Sequence, residues 1–114
     1  MSRVVEKPWG HELIWAETEQ YVGKYLFIES GKRLSRQYHE RKDEAILVIG
    51  GKLTLEIGEA DSLESLLLGN YESYRIKPGT IHRFCANNGP VHLIEASTAE
   101  LDDVVRISDD YGRD

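Results

Sequence analysis

One cysteine, three prolines and one methionine are all that this chain of 114 residues holds of those types. The lone thiol, Cys85, has no internal partner for a disulfide, so packing must hold the fold, and a reducing cytoplasm is the expected compartment. No stretch of about eighteen apolar residues occurs, and no apolar h-region follows a basic start. Neither a membrane span nor a secretory leader is expected. Basic residues are in deficit, 14 Lys and Arg against 20 Asp and Glu for a net charge of −6, which argues against a nucleic-acid partner. Such a partner needs an excess of cations to displace counterions from phosphates. Long segments of helical period are missing as well. With 10 glycines scattered between short apolar stretches, that absence favours an all-β chain folded as one domain over residues 1–114.

What is present is a series of short apolar runs punctuated by turns. Strands are expected near Glu12–Trp15, Tyr21–Glu29, Leu34–His39, Glu44–Ile49, Lys52–Ile57, Ser65–Leu68, Ser73–Lys77, Arg83–Ala86, Val91–Thr98 and Val104–Ile107. Gly50-Gly51 reads as the clearest hairpin turn and Asn87-Asn88-Gly89-Pro90 as the next. Leu53, Leu55 and Ile57 alternate with Lys52, Thr54 and Glu56, the pattern of a half-buried strand. Asp61–Leu68 reads alternatively as a single helical turn. Strands this short and numerous close most easily into a jelly roll or small barrel, which would remove exposed edges.

Four polar side chains stand out against that pattern. Gln37 and His39 are two apart and point the same way on a strand. Glu44 heads the apolar run A-I-L-V-I after the charged turn E-R-K-D, and His82 follows a Pro-Gly turn that can return it to the same cavity. Ionisable groups facing into a small barrel are costly unless paired or metallated. Two imidazoles, a carboxylate and an amide oxygen suit one divalent ion, Zn, Mn, Fe(II), Ni or Co, better than a thiolate-seeking one. His11 and His92 lie outside any such grouping and read as surface or satisfied strand residues.

The segment from Gly31 to Gly51 resembles the first motif of the cupins, commonly G-x5-H-x-H-x3-4-E-x6-G. Gly31, His39, Glu44 and Gly51 fall on it, and Gln37 stands where the first His usually is; Pro78, Gly79 and His82 match the second motif. K-P-W-G at 7–10, R-L-S-R-Q-Y-H at 33–39, P-G-T-I-H-R at 78–83 and L-D-D-V-V-R-I-S-D-D-Y-G-R at 101–113 are similar to type II phosphomannose isomerase domains, in which Gln is usual at this position. The resemblance implies a cupin-type jelly-roll β-barrel, a double-stranded β-helix. It also implies aldose–ketose isomerisation of a hexose phosphate, mannose 6-phosphate to fructose 6-phosphate, and a homodimer paired through edge strands. The chain departs from the subfamily where a run of histidines and R-A-E-H-W usually follow. Here the residues are Glu40, Arg41, Lys42, Asp43, Glu44, Ala45 and Ile46.

Isomerisation needs a base for the proton moving between C1 and C2, and stabilisation of the enediolate. Glu95, on V-H-L-I-E-A-S-T and matching a Glu of the isomerase segment, is the candidate base, with Glu44 as the alternative. A structural ion pair to an inward Arg or Lys is the competing reading of Glu95. A phosphate dianion calls for converging cations. Arg83, Arg106 and Arg113 are the first candidates, joined by Lys24 and Arg33. Trp9 and Tyr111 read first as packing residues that fasten the termini. Two rival functions share these residues: an Fe(II) oxygenase, and a cupin that binds a phosphosugar without turnover.

Overall fold

The inward column of three neighbouring strands changes character along its length, and that change creates the site. In the computed structural model, which describes residues 2–113, eleven strands form. They are β1 (Arg3–Lys7), β2 (Gly10–Glu17), β3 (Tyr21–Ile28), β4 (Arg36–Tyr38), β5 (Glu44–Gly50), β6 (Leu53–Ile57), β7 (Glu64–Leu68), β8 (Ser73–Ile76), β9 (His82–Cys85), β10 (Val91–Thr98) and β11 (Val105–Ser108). A six-stranded antiparallel sheet runs β1-β2-β3-β10-β5-β8, and a five-stranded one runs β11-β4-β9-β6-β7. Leu26 and Ile28 of β3, Ile46 and Val48 of β5 and Val91 and Leu93 of β10 meet Leu53, Leu55 and Phe84 of the second sheet in one core. Each such side chain contributes about 1.5–3 kcal/mol on burial. Toward the other end the same inward positions become Lys24, Glu44 and Glu95, all buried. Glu95 lies opposite Lys24 on one side and Ile46 on the other. The apolar end fastens the sheets together, and the polar end opens as a cavity.

The all-β expectation holds, with several differences in detail. β1 was not anticipated: R-V-V-E-K has no alternating signature and is held by pairing to β2. Residues 64–68 form a strand rather than a helical turn, because Leu68 sits opposite Leu53 and joins the core. Gly50-Gly51 is not a hairpin. β5 and β6 belong to different sheets, so the turn carries the chain across the sandwich. Gly51 is required there on two counts, a φ of 80° and a Cβ position only 2.2 Å from the carbonyl oxygen of Pro90. The Asn87–Pro90 turn is a second crossing between sheets, packed against the first. Nor are edges abolished, since among the described residues β1, β8, β7 and β11 each pair on one side only. Trp9 is buried in the core, and Tyr111 packs on its margin while its hydroxyl donates to the Arg33 carbonyl at 2.9 Å, as expected of packing residues.

Candidate metal centre

Four elements bring the candidate ligands together. β4 carries Gln37, directly across the ladder from His82 at the start of β9. His39 lies just past the end of β4, and Glu44 opens β5 in the opposite sheet. One ligand atom from each of His39, Glu44 and His82 lies within 4.8 Å of the others, and all three side chains are buried. His39 Nε2 is 3.3 Å and His82 Nε2 3.9 Å from Glu44 carboxylate oxygens. Both imidazoles are oriented through their other nitrogen, His39 Nδ1 to the Asp103 carbonyl and His82 Nδ1 to the Thr80 carbonyl at 2.8 Å. This turns both Nε2 atoms toward the same spot, and neither has a hydrogen-bond partner among the described residues. Backbone carbonyls that fix the ring and leave Nε2 free as a base are the usual support of metal-binding histidines. Donor set, burial and unpartnered nitrogens fit a divalent cation. Gln37 Oε1 accepts a hydrogen bond from Ser35 Oγ at 2.6 Å and keeps a second lone pair; the residue lines the same cavity.

That cavity, about 230 Å³, is also lined by Glu95, Lys24, Arg106 and Arg113. Of the residues expected to grip phosphate, these three cations reach it. Arg33 and Arg83 do not. Arg33 pairs with Asp110 at the surface at 2.6 Å. Arg83 is buried under the C-terminal segment, where Nε donates to the Leu34 carbonyl at 2.8 Å and its guanidinium to the Ser108 carbonyl at 3.2 Å. Its strand position one residue after inward His82 turns it to the opposite face of the sheet. Arg3 and Lys7 of β1 line the cavity instead, and sequence reading missed them with their strand.

Lys42 is the other addition. Its buried ammonium lies 3.1 Å from Glu44 and 3.0 Å from Glu95, bridging the candidate ligand and the candidate base. The two carboxyls are pulled apart in acidity. Burial alone would raise Glu44, but His39, Lys42 and His82 outweigh it and bring it to about 2. Burial and the charge of Glu44 push Glu95 upward, against Lys42 and Lys24. Burial also lowers His82, against Glu44, so its imidazole favours the neutral form that ligates. Burial disfavours the Lys42 charge as well, but its two carboxylate partners prevail and raise its pKa. Both readings of Glu95 are therefore present in one geometry: it is ion-paired, and it faces the cavity.

Asp103, just before β11, fastens the ligand loop. Its carboxylate accepts from the backbone N–H groups of Glu40, Arg41 and Lys42 at 3.0, 2.7 and 2.8 Å, while its carbonyl holds His39. Glu40 and Arg41 are exposed and line no part of the cavity, so the departure from the expected histidine run lies on the outer side of this loop.

A family model described as mannose-6-phosphate isomerase C-terminal matches residues 1–109. The mannose-1-phosphate guanylyltransferase ManC of Salmonella typhimurium is 37% identical over 99% of this chain and 24% of its own length. The xanthan biosynthesis protein XanB of Xanthomonas campestris is 34% identical over 97% of this chain and 24% of its own. The chain thus spans about a quarter of the length of these curated relatives. Among solved structures, KdgF from Halomonas superposes with a TM-score of 0.75 at 19% identity, covering 90% of this chain and 88% of that one. CapF from Staphylococcus aureus gives 0.81 at 14% identity, covering 95% and 34%. A double-stranded β-helix protein from Klebsiella pneumoniae gives 0.73 at 14% identity, covering 93% and 85%. These likenesses establish the jelly-roll fold expected from the cupin motifs.

Proposed function

The chain belongs to the mannose-6-phosphate isomerase C-terminal family of cupins, and from that premise we propose that it is a metal-dependent isomerase domain interconverting mannose 6-phosphate and fructose 6-phosphate. The observation that carries the reading is a buried His39-Glu44-His82 cluster whose His39 and Glu44 line the same cavity as the carboxyl of Glu95 and several cations. A divalent ion held by that cluster with Gln37 would polarise the substrate oxygens and stabilise an enediolate. Glu95 takes the proton from C2 of the open-chain aldose and returns it to C1, while the C2 hydroxyl proton passes to the C1 oxygen, so that the carbonyl moves from C1 to C2. A carboxyl raised toward neutrality is well matched to taking and giving back one proton. Lys42 balances the charge of Glu95 and Glu44, all three side chains being buried. Arg106 and Arg113, with Arg3 and Lys7 and the more deeply placed Lys24, line the cavity and bind the phosphate. The family relatives named for sugar-nucleotide and polysaccharide synthesis support a hexose phosphate as substrate. The same setting supports the cytoplasm as the compartment.

The exposed placement of Glu40 and Arg41 favours turnover over a binding-only role, because the subfamily histidines they replace would not have lined the cavity. The deciding experiment follows exchange of the C2 proton of mannose 6-phosphate with solvent, by NMR, with Mn, Zn, Co, Ni or Fe(II) supplied. Exchange and fructose 6-phosphate formation that vanish in Glu95→Gln, with metal content retained, support the proposal. Phosphosugar binding without exchange for every metal would replace it with the binding-only reading, and oxygen uptake with Fe(II) with an oxygenase.

A further inference from the structure

The ending D-D-Y-G-R lies beyond the last strand, where no barrel geometry calls for it, and its residues are arranged around one side chain. Asp109 follows directly on β11, and its carboxyl, 0% exposed, receives the backbone N–H of Arg113 at 2.8 Å and its Nε and Nη2 at 2.9 Å each. The grip is side-on. It occupies one edge of the planar guanidinium and leaves Nη1 without a hydrogen-bond partner among the described residues. The Tyr111 ring supports the same group from its face, with the guanidinium carbon 5.4 Å from the ring centroid, while the Tyr111 hydroxyl is fixed on the Arg33 carbonyl. Asp110 fastens the segment from the other side through Arg33. Gly112, at a φ of 73°, supplies the left-handed turn that brings residue 113 back onto residue 109. Arg113 thus lines the cavity with its orientation already set.

We propose that Asp109 is a positioning residue that presents the free edge of Arg113 to the phosphate of the substrate. The proposal rests on the sugar-phosphate reading of the cavity and adds a division of labour among its cations. Lys24 and Arg3 have carboxylate partners, Glu12 at 3.4 Å and Glu17 at 3.1 Å, whereas Arg106 has no ion pair among the described residues. Arg106 therefore supplies net charge. Arg113, its charge balanced by Asp109, supplies direction, because a fixed guanidinium fork matches two phosphoryl oxygens and loses little rotamer freedom when the anion arrives. The grip also settles a competition. Glu12 lines the same cavity and attracts the same guanidinium, so an Arg113 released from Asp109 has a carboxylate inside the site to turn to.

Calorimetric titration of the full chain with mannose 6-phosphate and with inorganic phosphate tests this, since it reads binding independently of turnover. Asp109→Asn, which keeps the shape and removes the charge, is expected to raise the dissociation constant for both probes about tenfold, with circular dichroism unchanged. Arg113→Lys keeps the cation but loses the side-on grip, and a loss of about the same size is expected. Adding Asp109→Asn to Arg113→Met should cost nothing further, because Asp109 acts through Arg113. An equal loss from Asp109→Asn in both backgrounds, or wild-type affinity in Arg113→Lys, overturns the proposal and leaves the isomerase reading standing. The expected losses in a chain that never exchanges the C2 proton would remove the isomerase reading alone, and a wild-type chain that binds neither probe overturns both.

Discussion

Lys42 was legible only as part of a charged turn, although its parity matches Glu44, two residues on. Strand alternation would have pointed it inward, but residues 40–43 lie in a loop where that rule has no force. With partners at 3.1 and 3.0 Å it is the buried counter-charge for both carboxyls. Removing one member of a buried ionic cluster leaves uncompensated charge. Lys42→Met is therefore expected to lower unfolding free energy by about 3–5 kcal/mol in urea titration, and Lys42→Arg to lose much less. The arginines divide in the same way. Arg106→Met, in the cavity, is expected to raise KM for the phosphosugar about tenfold or more. Arg83→Met, which loses its carbonyl partners behind the sheet, lowers thermal stability and leaves KM unchanged in the folded fraction. Equal KM effects from the two would mean that the phosphate site has been misplaced.

Among the elements, those with a strong period were read correctly and those held by partners were not. β6 alternates in sequence as it does in burial, β5 and β10 are apolar runs that alternate in burial, and the three contribute to the core. β1 has no pattern of its own and exists because β2 offers an edge, so Arg3 and Lys7 went unseen as cavity residues. Turn chemistry was legible as turn chemistry, yet Gly50-Gly51 could not announce that its flanking strands would join different sheets. His39, Glu44 and His82 converge as their motif spacing implied, while what holds His39 in place lies some sixty residues away, beyond any local signal. That holder is Asp103. Asp103→Ala is expected to speed amide hydrogen exchange at residues 40–42 and to weaken metal binding about 10- to 100-fold, with far-ultraviolet circular dichroism unchanged. Unaltered metal affinity in a folded variant would reduce Asp103 to a loop tether.

At the scale of the whole molecule, acid sensitivity follows from carboxyls that hold their protons less tightly folded than unfolded. Backbone N–H groups bring Asp103 to about 2, and Arg113 brings Asp109 to about 2 against the opposing effect of burial. For a depressed carboxyl, the stabilisation is present above the unfolded value near 4 and disappears as pH falls through the folded value. The thermal midpoint should fall steadily as pH drops from about 4 toward 2, with a shallower fall in Asp109→Asn. A slope unchanged by that substitution would assign acid unfolding to other groups. The fold as a whole exists to bring two sheets together with an apolar end that packs and a polar end that binds, and its central claim concerns the ion at that polar end. Elemental analysis of the purified chain, repeated for His82→Ala, addresses it most directly. One divalent ion per chain, lost in the variant, is the predicted result. A folded chain that takes up none of Mn, Fe, Co, Ni or Zn, or a stoichiometry that survives loss of His82, would contradict it.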